Sequence, residues 1–499
     1  MKQFNPFDKS SLYEIHAPRW QAELDFSEMT QDVLDSGKYL PRFSQKEHED
    51  DYKYRRSMSC ALDMIRDAVR LRLDCIWRTS PRRIVGATKY ESIIAGLVDN
   101  CDDYGTPLDD FMRKAALRHY VTGCDIVTQL TGPPENSPDI VTKADALAAG
   151  IRPFFAAFSP LERYWWTTDG AGNIMGARYC LGAVAESDET DEPDGSVKFL
   201  SLIGRQWRVW VATPGKNDLK VTLLASGEHN LPRPPIVKLY FSESAKPGYF
   251  ATPLSLVTRP TRIAIVAMNL KSQADVDLLA AVPRWFLSGF DGDVDSYGPT
   301  TLIRAAQPEA RMAVIQGDCA HIAEKREWLM LYLHEILRLL KFRGSMADLE
   351  GSASSGVKLA LEHNDLHNEL RSTASQLERA DIEMMRQACV LATGEDISSA
   401  NAQEILGYDV SYERDFVLEP VGEMLDNLRR LAVDCSWVAE ETPSMVKEIL
   451  RQISDALVRP GSNRAAEIEQ EIEEAGLEGI AAFRPAESLG EPKMTPPSE

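Results

Sequence analysis

The sequence predicts an α+β protein dominated by long helices, and three observations carry that reading. Between Asp318 and Gly394, a breaker-free stretch runs from Ala320 to Phe342. It is followed by the small-residue run Arg343–Gly356, and then by a second stretch without Gly or Pro from Val357 to Thr393. Upstream, Pro260 opens a further helix that can run to Val282, where Pro283 stops it; at the usual rise it would be about 35 Å long. Between residues 152 and 239 the periodicity shortens to that of strands. Long helices around a flexible loop suit a scaffold better than a compact catalytic pocket.

In chain order, residues 1–50 are polar and irregular and read as an arm. From Tyr52 to Trp77, Met58, Leu62, Ile65, Val69, Leu73 and Ile76 recur at steps of three and four, predicting one helix. A second helix is expected over Pro107–Val127. Thr106 would be its N-cap, Pro107 its first residue, and Asp109 and Asp110 would sit at the positive end of its dipole. Strands are expected at Ile174–Leu181, Lys198–Ile203, Gln206–Ala212 and Leu219–Leu224. The acidic run Glu186–Gly195 reads as a solvated hairpin tip rather than a cation site, and Tyr164, Trp165 and Trp166 as part of a half-buried strand rather than an aromatic contact site.

Residues 284–317 look like short strands and turns around Arg284–Leu287, Asp291–Asp293 and Ala313–Gly317. In the last long helix, Leu359, Leu366, Leu370, Leu377, Met384, Ala388 and Leu391 form one stripe opposite a charged face, predicting a half-buried helix. A short strand is expected at Tyr408–Tyr412, helices near Pro420–Leu431 and Pro443–Leu457, and a disordered charged tail.

Composition narrows the class. At 499 residues, about three domains are expected. The hydrophobic content of 44% and charged content of 26% are those of a globular protein. A net charge of −21 argues against binding DNA by neutralising phosphates, and reads as an ordinary solvated surface before one that repels DNA. The eight cysteines form no CxxC pair and read as buried free thiols in a reducing compartment. The first residues carry no apolar run like a signal peptide, and no segment reaches bilayer-spanning length, so the expected setting is cytosolic, without a membrane.

Each motif that might carry chemistry misses a required residue. Gly351–Lys358 is close to a phosphate-binding loop, but Val357 separates Gly356 from Lys358 and Leu359 replaces the hydroxyl. His363 and His367 share a helix face, but Asn364 stands where a zincin has Glu, so they read as polar surface residues. Asp291, Asp293 and Asp295 alternate like the start of a calcium loop, yet Ser296 and Leu302 replace its Gly and Glu. No GxSxG sequence is present. No catalytic residue, metal site or cofactor is expected, and the chain is not read as an enzyme.

Several segments together, in order, resemble the portal proteins of tailed bacteriophages. They are the helix Tyr54–Met64; Asp103–Phe111 leading to Tyr120–Val127 and Gly132; Arg152–Pro160 with Trp165 and Trp166; His229–Tyr240; Ser352–Lys358 before a long polar helix; Tyr408–Tyr412; and Glu440–Pro443 with Glu467–Glu474. The likeness rests on segment order and degenerate motifs over roughly residues 50 to 475.

The resemblance implies a portal-like fold: stem and wing helices, an α/β wing body, a small α/β clip and a helical C-terminal crown, assembled as a ring. It places an arm at 1–50, the wing at 51–258, stem helices at 259–282 and 320–342, the clip at 283–319, a tunnel loop at 343–355, a wing helix at 356–395, the crown at 396–480 and a tail at 481–499. The tunnel loop with its flank, Arg343, Gly344, Ser345, Met346, Asp348, Glu350, Gly351, Ser352 and Gly356, would face DNA; a clip surface of Arg284, Trp285, Asp291, Asp293, Asp295 and Tyr297 would meet partners. The implied partners are further copies in a dodecameric ring, the terminase large subunit, head–tail adaptors, major capsid and scaffolding proteins, and double-stranded DNA passing without sequence specificity. The implied location is the capsid vertex of the virion, with the host cytoplasm during assembly. A metal-dependent nucleic-acid enzyme using His363 and His367, or another helical virion scaffold, stand as the alternatives.

Overall fold

In the computed structural model the chain divides into the units Met1–Arg414 and Asp415–Glu499. The structure describes residues 5–59, 64–132, 150–183, 195–214, 219–246, 248–281, 284–288, 311–315, 320–341 and 356–414, all within the first unit. The expected helices at Pro420–Leu431 and Pro443–Leu457, the C-terminal tail and the acidic run from Glu186 lie outside the described residues.

The N-terminal segment is not an irregular arm. Ser10 takes an extended backbone and its hydroxyl accepts from the Tyr13 amide, capping helix α1, Ser11–Glu28. The helix ends where Met29 turns left-handed and its amide reaches the Asp25 carbonyl at 2.7 Å. Tyr13 and Trp20 bury themselves against the main sheet, and Trp20 has no exposed surface. Pro18 and the polar Glu23 and Ser27 on the buried stripe hide this helix from apolar periodicity; Pro18 lies on the exposed side.

Helix α2 (Gln31–Ser36) follows, and the single helix expected over Tyr52–Trp77 is two, α3 (Glu49–Met58) and α4 (Met64–Ile76). The first stops at Ser59, which is extended and whose hydroxyl donates to the Arg55 carbonyl, a local bond that competes with helix continuation. Strand β1 (Arg82–Val85) and helix α5 (Glu91–Asp99) precede α6 (Leu108–Val121). Pro107, rather than Thr106, is the N-cap residue of α6, and no side chain caps it. The helix ends six residues earlier than Val127. At Gly123 φ is +87°, and a Cβ there would sit 2.6 Å from the Pro253 Cβ, so the chain turns sharply into the buried strand β2 (Cys124–Leu130).

Two antiparallel sheets form the body. The smaller has β2 between β3 (Pro153–Phe158) and β9 (Ile236–Leu239). The larger is a meander of β4 (Arg163–Thr168), β5 (Ile174–Ala183), β6 (Val197–Ile203), β7 (Gln206–Pro214) and β8 (Leu219–Glu228), of which β5 to β8 match the four strands expected from the sequence. Trp166, Ile174, Ala177, Tyr179, Leu200 and Leu202 form its core face against Tyr13 and Trp20; Trp165 stays half-buried. A short pair, β10 (Ser242–Glu243) and β11 (Pro253–Leu254), then leads into helix α7, Thr258–Ala281.

After α7 come β12 (Arg284–Ser288) and β13 (Arg311–Ile315), paired antiparallel, then α8 (Ala320–Leu339) and α9 (Gly356–Thr393). These helices match the three long spans expected. The half-buried stripe expected for α9 is incomplete as a description. Beyond Ala380 it is buried on nearly all sides, including the polar Asp381, Arg386 and Gln387, because β2, β3, β9, α4 and α5 all pack on it. The short α10 (Ala402–Leu406) and β14 (Tyr408–Ser411) close the unit, with β14 paired to β1, so the chain stays part of this body to Arg414.

Candidate functional site

Helices α7 and α8 pack along one another. The antiparallel β12–β13 pair between them sets opposite directions, and a Lys325–Asp277 ion pair ties the start of α8 to the end of α7. The result is one long helical hairpin. Apolar side chains remain uncovered on it: Val266 is 47% exposed, Leu278 53%, Trp328 50% and Leu331 53%. Trp328 and Tyr332, one turn apart on α8, hold their rings 6.1 Å apart.

The α7 root is held by hydrogen bonds and one buried carboxyl. Thr258 Oγ1 donates to Glu23 Oε1 of α1 at 2.5 Å. Further along, Asn269 Nδ2 donates to the Tyr39 carbonyl at 2.8 Å, and Arg55 Nη1 of α3 to Ser272 Oγ at 3.3 Å. Arg55 also pairs with Glu47 at 2.9 Å. The α8 root is an ion cluster. Arg72 of α4 donates to the Leu340 carbonyl at 2.5 Å and to Glu369 Oε1 of α9 at 2.8 Å. Lys341, left-handed at φ +58°, places its ammonium 2.9 Å from Glu369 Oε2. A cation at the last carbonyls of α8 also suits the negative end of its dipole.

Two further buried networks make the body rigid. Asp125 accepts from Arg163 at 2.8 Å, Tyr179 at 2.9 Å and Tyr240, while Arg163 Nη2 donates to the Ala251 carbonyl at 2.7 Å. On α9, Asp381 accepts from Arg83 at 3.2 Å, Tyr408 at 2.9 Å and Tyr412 at 3.4 Å. Burial raises the Asp381 carboxyl above its ordinary range, against the opposing pull of Arg83. Both carboxylates are saturated by internal donors, so these are joints between distant segments rather than open catalytic groups. Among the described residues no group of three or more His, Cys, Asp or Glu could hold a metal ion, and no helix is long and apolar enough to cross a membrane. Of the cysteines, Cys101, Cys124 and Cys389 are buried free thiols, while Cys75 and Cys180 are partly exposed.

Arg343, Gly344, Ser345, Met346, Asp348, Glu350, Gly351 and Ser352 lie outside the described residues, as do Asp291, Asp293, Asp295 and Tyr297. Gly356 is the first residue of α9. Arg284 and Trp285 begin β12, opposite Ile315 and Val314. The residues that root the hairpin, Glu23, Arg72 and Glu369, escape motif reading. Their one sequence signal is a charged residue on an otherwise apolar helix stripe, as Arg72 is among Ile65, Val69, Leu73 and Ile76.

No protein-family model matches the chain, and no curated protein matches it. Among solved structures it is similar to a chain from the neck of an empty GTA particle computed with C6 symmetry. The identity is 10%, the match covers 79% of this chain and 90% of that one, and the TM-score is 0.35. A likeness of that strength assigns neither fold nor role.

Proposed function

We propose that the chain is a structural subunit of a phage-type particle, a portal-like protein that assembles into a ring around a DNA channel and has no catalysis of its own. One observation carries this reading: a long helical hairpin, rooted at both ends in an α/β body and joined at its far end by a strand pair, leaves Val266, Leu278, Trp328 and Leu331 uncovered. Large apolar side chains in such an array call for lateral cover, and further copies of the same chain supply it through heterologous contacts that close into a ring. The segment order of the sequence supports the same reading.

In it, α7 and α8 are the stem, β12–β13 with the residues between them the clip, 343–355 the tunnel loop, and α9 the wing helix. Terminase and head–tail adaptors would dock at the clip, capsid and scaffolding proteins around the body, and double-stranded DNA would pass along the axis. The net charge of −21 suits a conduit that does not grip phosphates.

Electron microscopy of the purified protein should show rings with an axial hole, of twelve subunits in the portal reading. A strictly monomeric protein at micromolar concentration overturns the proposal. If rings form, deleting 344–355 should leave them intact and impair DNA packaging or retention; rings that collapse would assign the segment to a subunit interface instead.

A further inference from the structure

Glu23 lies on α1 with a side chain only 1% exposed. Its Oε1 accepts from Thr258 Oγ1, the first residue of α7. Ser255 Oγ lies 3.0 Å from Thr258 Oγ1; because the Thr258 proton goes to Glu23, Ser255 is the donor in that pair. Arg19 places Nε 3.3 Å from Glu23 Oε1 while its Nη2 donates to the Pro253 carbonyl at 2.7 Å. Glu23 Oε2 has no hydrogen-bond partner. One carboxyl thus joins α1, the turn before α7 and the first residue of α7, with an oxygen left unsatisfied in a dry place.

The elements packed around α1 present few competing charges. On α1 itself, His16 is lowered by burial, and by Arg19 and Lys246. Arg72 of α4 is taken up by Glu369, and Arg163 of β4 by Asp125. His119 of α6 is pushed down to about 3 by burial and stays neutral. On α7, Arg259 and Arg262 are exposed. Arg19 is the cation that acts on Glu23.

We infer that Glu23 is a proton-operated latch at the α7 root of the hairpin: protonated, it holds α1 closed on the first turn of α7, and ionised, it loosens that contact. The driving force is desolvation, since a buried carboxylate with a bare oxygen gains by opening to water. Burial raises this carboxyl to about 7, against the opposing effects of Thr258 and Arg19. The folded value lies above the ordinary 4.5. The closed form is therefore favoured at lower pH and loses ground as pH rises through neutrality. The latch is a property of the single chain and stands or falls apart from ring assembly.

Hydrogen exchange on the full chain, corrected for the chemical rate, tests it. Between about pH 5.5 and about pH 8.5, protection of the amides at residues 261–265, the first of which bonds the Val257 carbonyl, should fall on the order of tenfold in the unmodified protein. Glu23→Gln, which keeps size and neutrality, should hold protection constant over that range. Thr258→Val, which removes the donor to the ionised form, should move the midpoint to higher pH, and it decides the matter if Glu23→Gln does not fold. Equal protection at both pH values in the unmodified protein, the same fall in Glu23→Gln, or an unmoved midpoint in Thr258→Val would overturn the latch.

Discussion

The two roots of the hairpin solve one problem in opposite ways. Both must fix a long helix to a body assembled from distant parts of the chain. At the α8 root, one buried carboxylate faces two cations, Arg72 and Lys341, and the guanidinium also covers the Leu340 carbonyl. At the α7 root, one buried carboxyl accepts from a single hydroxyl, itself paired with a second, and has one longer guanidinium contact, and one of its oxygens is unsatisfied. Two close cations on one carboxylate make the first a fixed anchor. Burial with one oxygen unpartnered and only a longer cation contact makes the second sensitive to a proton.

Breaking the anchor should have the largest effect. Arg72→Met strips Glu369 of its best partner and leaves the Leu340 carbonyl uncovered, so stability should fall by about 3–5 kcal/mol, measured by urea unfolding. A loss below about 1 kcal/mol would show that Lys341 alone satisfies the carboxylate.

Glu23→Gln should act in the other direction and only above acidic pH. The Glu23 carboxyl moves from 4.5 to about 7 on folding. Folding therefore carries no penalty from it below about pH 4, and a penalty that grows to about 3 kcal/mol above pH 7. The variant should be more stable than the parent at pH 8.5 by up to that amount and equal to it at pH 4. Urea melts across this range, with the variant less stable at pH 8.5, would refute the burial argument.

A smaller loss, about 1–2 kcal/mol at neutral pH, is expected for Thr258→Val, which deletes two hydrogen bonds at the α7 root. The smallest folding effect belongs to Trp328→Ala. That side chain is half exposed, and its removal should change monomer stability by no more than about 0.5 kcal/mol while weakening or abolishing rings seen by native mass spectrometry. A variant that unfolds would place Trp328 in the fold rather than at an interface.

Much of the architecture was readable in advance, for a local reason. The strands β5 to β8 announce themselves by period and turn residues. Pro260 and the long breaker-free spans announce α7, α8 and α9. Helix α1 did not, because Pro18 reads as a breaker and its buried stripe carries Glu23 and Ser27. The stop at Gly123 did not either, since the apolar residues of β2 continue a plausible helical pattern past the end of α6.

By itself, then, the sequence determined the α+β class, strands β5 to β8 and the three long helices, because side-chain period and chain breakers act within a few residues. Only the tertiary structure decided which charges are buried and whom they meet. Thr258 is 235 positions from Glu23, and Glu369 is 297 from Arg72. Desolvation, which makes the one root a proton-sensitive contact and the other a fixed anchor, depends on those distant neighbours and leaves no periodic trace in the chain.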